Sequence, residues 1–310
     1  MLRVEHMIKQ VRRQTDNESI GTDDGISDEE IIRYLNDGQD DIYAAISGVY
    51  RGAFSAIDTF SCVGGSETYP VPSRAFMDGQ TSMLEWSQSG ADRDYRALKH
   101  VTMRERAPGE GYPSRYSIAN GNYYVWNIPT TSLGTFRATF SKIVPTMDKR
   151  RGVVTAVTIV GSDVTALTIL APDGSAFTQA YADAFTENDV LSVVSSTGLQ
   201  KCYGIRYTDV SAAGVVTLDG NHTLETGETV TSGDFIVMGD YATTNSTMPQ
   251  NCERYLIGYA VWKVLKRDSS SDYAPQQQEL GSIRETIVDG FAELSADIDF
   301  TPFVNNEFDW

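Results

Sequence analysis

Few residues of this chain are equipped for chemistry, and their spacing is poor. Three histidines, His6, His100 and His222, and three cysteines, Cys62, Cys202 and Cys252, stand far apart. None lies at the short spacings that collect zinc ligands on one loop or helix, and an odd, dispersed set of cysteines makes no disulfide framework. Catalytic sets assemble through the fold as well as along the chain, so convergence in space stays open. His6 reads as a surface residue of a first helix. The stretch "SCVGGSETYP" pairs two glycines without a following lysine, which fits a turn before a strand rather than a phosphate cradle. No dinucleotide fingerprint, nucleophile elbow or kinase signature is present. The expectation is no catalytic, cofactor-binding or metal-ligating residue, and so no enzyme.

Acidic residues are the more abundant chemistry. The loop "DNESIGTDDGISDEE" invites a calcium reading, with Asp16 at the first ligand position, Glu18 at the third and Gly21 at the sixth. Ile20 and Ser27 then fill two ligand places and the closing bidentate glutamate is missing, so Asp23 to Asp28 read as turn and cap residues. Asp37, Asp40 and Asp41 follow on the next helix. They read as a solvated acidic face. The one tight basic cluster, "DKRR" (Asp148 to Arg151), sits between two β regions, where a linker or a contact with an acidic partner belongs. It is too short to make a nucleic-acid site by itself.

The totals agree with a protein that does not grip polyanions. In 310 residues, 42 Asp and Glu face 25 Lys and Arg, a formal net charge of −17. Such a surface repels nucleic acid and anionic membranes, yet an acidic wall suits a protein that surrounds DNA without holding it. With 41% hydrophobic and 10% aromatic residues the chain is expected to fold, into two or three domains. No apolar run is long enough to cross a bilayer, and the opening "MLRVEHMIKQVRRQ" lacks the apolar core of a secretory signal. Dispersed cysteines suit a reducing cytoplasm.

The elements that would position these residues come in an ordered series. Val4, Met7, Ile8 and Val11 share one face of a first helix, which glycines and capping residues then end. "ISDEEIIRYLNDGQDDIYAAI" opens with a Ser27–Glu30 capping box flanked by an Ile26–Ile31 staple, and Ile31, Leu35, Ile42 and Ile46 recur at helical spacing. Residues 53–148 carry strand signals, clearest in "YYVWNIP" and "TFRATFSKIV", where Phe136, Ala138 and Phe140 alternate to one side. Residues 149–248 hold short strands rich in valine, isoleucine and threonine between glycine turns, which predicts a small barrel or sandwich. Helix returns in "NCERYLIGYAVWKVLKRD", with Tyr255, Tyr259, Trp262 and Leu265 as its stripe. A last helix from near Pro275 carries Leu280, Ile283, Ile287, Phe291 and Leu294.

The fold class expected is α+β. Helices of residues 1–52 and 249–299 pack as one bundle, with an antiparallel β region at 53–148 and an additional small β-barrel or sandwich at 149–248 inserted into it. Residues 300–310, with Phe300, Phe303, Phe308 and Trp310, either fold back on their own domain or form an arm that docks on a partner through aromatic anchors.

The order of the parts carries a family resemblance. The hairpin with "ISDEEIIRYLNDGQDDIYAAI", a strand opening at "GGSETYPVP", then "GYPSRYSI…NGNYYVWNIPTT", "FRATFSKIV" and a closing helix at "ERYLIGYAVWKVLKRD" together resemble the head-to-tail connector (adaptor) proteins of tailed bacteriophages. The resemblance covers roughly residues 1–148 and 250–299. It implies a structural virion protein, a helical bundle with a β insertion, of which typically twelve copies form a homo-oligomeric ring. That ring lies beneath the portal protein and joins it to tail, tail-tube or nozzle proteins, while double-stranded DNA passes through the lumen without specific binding. A carboxy-terminal segment that reaches the portal would give Phe300, Phe303, Phe308 and Trp310 a docking role, and in such a ring Asp37, Asp40 and Asp41 would face the lumen, repelling DNA as it threads, or a neighbouring subunit. The implied location is the head–tail interface of a virion whose parts are made in the host cytoplasm, with no membrane and no cofactor. Compact adaptors lack an insertion as large as 151–248, which is open to three uses: contact with neighbouring subunits, holding tail fibres, or decorating the outside. Two other classes compete, a virion decoration or carbohydrate-binding module carried by the inserted β domain, and a hydrolase with a scattered site around His100.

Overall fold

A computed structural model describes residues 3–16, 25–72, 75, 83–105, 109–185, 190–224 and 228–297. Its helices are α1 (Val4–Gln14), α2 (Asp28–Val49), the short α3 (Gln179–Ala182), α4 (Glu253–Arg267) and α5 (Tyr273–Asp297). Two compact units divide the chain, one of Met1–Ala44 with Pro145–Asp289, the other of Ala45–Val144 with the part of α5 from Gly290 on. The fold is mixed α+β, as expected.

In the first unit α1 and α2 bury the stripes that their spacing predicts. Val4, Met7, Ile8 and Val11 of α1 are buried, as are Ile31, Leu35 and Ile42 of α2. At the start of α2 the Ser27 hydroxyl accepts the Glu30 amide at 3.1 Å, one arm of the capping box, with Ile26 buried beside it. The core face of α4 differs from the expected aromatic stripe. It consists of Leu256, Ile257, Ala260, Val261 and Val264 with Tyr255, while Tyr259, Trp262 and Leu265 are half-buried. The close approach of α2 explains the difference. Gly38 has no side chain, and a Cβ there would press on the Tyr259 ring at 3.0 Å. On α5, Leu280 and Ile287 are buried and Pro275 lies in the first turn, where a missing N–H costs nothing.

The second unit is built on two four-stranded sheets. Its strands are β1 (Ser55–Ser61), β2 (Thr68–Pro70), β3 (Met83–Ser87), β4 (Arg96–Ala97), β5 (Lys99–His100), β6 (Arg115–Ala119), β7 (Asn122–Trp126) and β8 (Thr135–Ser141). One sheet runs β1-β8-β3-β4 and the other β2-β7-β6-β5. A shared core of Tyr69, Leu84, Trp86, Tyr123, Val125 and Phe136 takes side chains from both. Strand β8 buries Phe136, Ala138 and Phe140 in strict alternation. The β6–β7 hairpin turns through Asn120 and Gly121, both at positive φ (50° and 69°), the backbone that a two-residue turn needs to match strand twist.

The remaining strands return to the first unit: β9 (Thr146–Met147), β10 (Gly152–Val160), β11 (Asp163–Leu170), β12 (Val190–Val194), β13 (Gln200–Val210), β14 (Val215–Leu218), β15 (His222–Thr223), β16 (Phe235–Met238) and β17 (Ala242–Thr243). Six of them close on themselves in the order β10-β16-β12-β13-β14-β11 and back to β10, every pairing antiparallel. This is the small barrel that the valine- and threonine-rich texture predicts. Leu167, Leu191, Ile205 and Ile236 fill it, with Phe177 and Phe185 against the same core. The incoming β9 and outgoing β17 lie side by side as a parallel pair, so the barrel begins and ends at one place.

Candidate functional site

The "DKRR" cluster is an internal bracket, which corrects its reading as a linker or a contact with an acidic partner. Asp148 precedes the barrel and is buried; its carboxylate accepts from Arg151 Nη2 at 2.8 Å, from Arg151 Nε at 3.1 Å and from the Met238 amide at 2.8 Å. Arg151 also reaches Glu29 at 3.1 Å. Lys149 bridges Asp28 (3.2 Å) and Glu29 (2.9 Å) at the start of α2, and Arg150 makes a two-pronged pair with Glu5 of α1 at 2.6 and 2.9 Å. From α1, Arg12 donates to Asp28 at 2.7 Å and to the Ile26 carbonyl at 3.0 Å. Burial raises the Asp28 pKa, but the hydrogen bond from Arg12 and the charge of Lys149 outweigh it and hold the carboxyl below its ordinary value. Glu29 is held low in the same way, by Lys149 foremost.

Two amides of α2 complete the bracket. Asn36 donates to the Met147 carbonyl at 2.9 Å and accepts the Met147 amide at 2.7 Å, so one side chain pairs as a strand would. The buried Gln39 donates to the Pro145 carbonyl at 2.9 Å. Together these contacts fix α1 and α2 against the strand that leads into the barrel. A cleft of about 390 Å³ lies along this seam, lined by Glu5, Arg12, Asp28, Arg150, Tyr181 and Phe185 among others.

The acids of α2 part company. Asp37 and Asp40 are exposed, and burial together with the charge of Asp37 raises the Asp40 pKa. Asp41 is turned into its own bundle: its carboxylate accepts from Tyr255 Oη at 2.6 Å and from Arg284 Nε at 3.0 Å, tying α2 to α4 and α5. Phe300, Phe303, Phe308 and Trp310 lie outside the described residues, as does most of the calcium-like loop. His6 is exposed on α1, and His100 is exposed with its ring edge-on to Tyr116 at 5.1 Å.

One convergence was hidden by sequence distance. Cys202 of β13, His222 of β15 and Glu228 bring three donor atoms within 4.8 Å of one another. Only the pairing of β15 with β11, and of β11 and β13 through β14, makes these positions neighbours.

The described residues thus form a mixed α+β chain whose cations clamp its own first helices to the barrel. Residues 3–190 match the family model described as SU10 adaptor protein, and the chain belongs to this family of phage adaptor proteins. The match runs from α1 through the first hairpin of the barrel, so part of the insertion belongs to the family pattern. No curated protein matches the chain. Among the described residues no helix is long and apolar enough to cross a membrane.

Proposed function

We propose that this protein is the head-to-tail connector of its phage: a non-catalytic virion component, twelve copies of which form a ring beneath the portal protein and join it to tail or nozzle proteins. The family match over residues 3–190 carries the reading. Double-stranded DNA passes through the ring without specific binding, in keeping with the net charge of −17. Asp37 and Asp40, exposed and mutually repelling, face the channel or the next subunit; Asp41 anchors the helix that presents them. Phe300, Phe303, Phe308 and Trp310 form the arm that docks on the portal, since aromatic anchors dominate interface energies. The barrel takes a protein-contacting role. Among its described residues the exposed large apolar ones are the aliphatic Ile159, Val160, Leu199 and Val215, not the Tyr or Trp faces on which a glycan stacks.

The test is co-sedimentation of the full chain with the cognate portal ring, beside a version ending at Asp299 and one carrying alanine at the four aromatic positions. Comigration of the full chain, lost in both variants, supports the connector and its arm. A full chain that stays monomeric with portal in excess overturns the connector reading; unchanged binding of both variants overturns the arm alone.

A further inference from the structure

Three unlike ligand types meet at one end of the barrel. Cys202 Sγ lies 3.3 Å from His222 Nε2, and His222 Nε2 lies 3.8 Å from Glu228 Oε2. The last distance is too long for a hydrogen bond, so imidazole and carboxylate converge on a common point without bonding each other. Zinc bonds of about 2.3 Å to sulfur and 2.0–2.1 Å to nitrogen or oxygen place tetrahedral ligand atoms roughly 3.3–3.6 Å apart. Two of the separations lie near this range and all three ligand atoms lie within 4.8 Å of one another, so side-chain rotation closes the trio on one ion.

We propose that Cys202, His222 and Glu228 bind a zinc ion through thiolate, imidazole Nε2 and carboxylate, with water or one further ligand in the fourth position. Sulfur plus imidazole selects a borderline-soft transition metal over calcium or magnesium. The Tyr203 amide donates to Glu228 Oε1 at 3.3 Å, which orients the carboxylate with Oε2 toward the histidine, as outer hydrogen bonds do in metal sites. The His222 side chain is 19% exposed, giving an ion a way in from solvent. A nucleophilic Cys-His-Glu set fits less well, because Cys202 is 0% exposed and no substrate reaches its sulfur. A metal here has a clear structural use. Among the described residues strand β15 is a short edge, paired at Asp163–Thr223 and Val164–His222 and held further by the Leu224 amide on the Ser162 carbonyl at 2.8 Å. An ion held by β13, β15 and Glu228 straps it down. Binding displaces the thiol proton to solvent, so affinity rises as pH rises and is lost in acid.

The experiment is a cobalt(II) titration of the full chain after chelator treatment, followed by zinc competition. The proposal predicts one equivalent bound, thiolate-to-cobalt charge-transfer absorption, its loss on adding zinc, and a zinc-dependent rise in melting temperature. Cys202→Ser abolishes the absorption, and His222→Ala weakens affinity by about 100-fold or more, since even outer-shell changes cost 10–100-fold. The double variant Cys62→Ser with Cys252→Ser keeps the signal. Absence of thiolate absorption in the unaltered protein overturns the proposal, and so does absorption that survives Cys202→Ser. The unaltered protein decides the question even where a variant folds poorly.

Discussion

Asp148 and Arg151, three residues apart, form a two-pronged ion pair whose side chains are only 7% and 10% exposed. The same carboxylate caps the Met238 amide on β16, and the same guanidinium extends to Glu29 on α2. Burial works against the charge on Arg151, but Asp148 and then Glu29 outweigh it and raise its pKa. A pair of this kind adds little net stability over a well-packed apolar contact. Its consequence is geometric: the first helices and the barrel are held in one register.

Asp148→Ala leaves the Arg151 guanidinium buried with its main partner gone. Breaking a buried pair from one side costs about 3–5 kcal/mol. Urea unfolding is expected to show a loss of that order for Asp148→Ala and a smaller one for the double replacement Asp148→Ala with Arg151→Met. Equal losses in the two variants would contradict the bracket.

Acid should release the helices from the barrel. Asp28 and Glu29 titrate below their ordinary values of 3.8 and 4.5 in the folded protein. Groups depressed in this way contribute stability that is full above those values and is lost as pH falls through the folded pKa. The expected result is a decline in melting temperature beginning near pH 4.5 and steepening below 3.8. Lys149→Met makes the decline shallower, because it removes a cation that holds both carboxyls low. An identical pH profile in that variant would contradict the assignment.

Asp37→Asn is expected to stabilise. The Asp40 pKa is raised, by burial first and Asp37 second. A raised acid contributes stability below its ordinary value of 3.8 and loses it as pH rises through the folded pKa, so the repulsion is fully present at neutral pH. Relief of a like-charge pair one helical turn apart is worth about 0.2–0.5 kcal/mol. Thermal melts should show the gain at pH 7 and not at pH 3. A loss at pH 7 would mean that Asp37 has a partner of its own.

Much of this fold is legible in the chain because the signals are local. The stripes of α1 and α2, the Ser27 cap, the alternation in β8 and the Asn120-Gly121 turn each rest on residues a few positions apart. The stripe of α4 misleads, because aromatic residues at helical spacing mimic a core face while the actual packing turns on Gly38 in another helix. Longer-range features left no local mark. Lys149 and Asp28 are 121 residues apart, Arg150 and Glu5 are 145 apart, and Asn36 and Met147 are 111 apart. The same holds for Cys202, His222 and Glu228, which only the strand pairing of the barrel unites. In each case single-residue chemistry was visible and the partner was not.

The most direct measurement is a cryo-electron microscopy reconstruction of the neck of the virion that carries this protein. The connector account predicts a closed ring of this chain in contact with the portal, residues 300–310 reaching the portal, and DNA density along the axis with the acidic helices beside it or against neighbouring subunits. A neck without this chain, or isolated copies of it on the capsid surface or on fibres, would contradict the account.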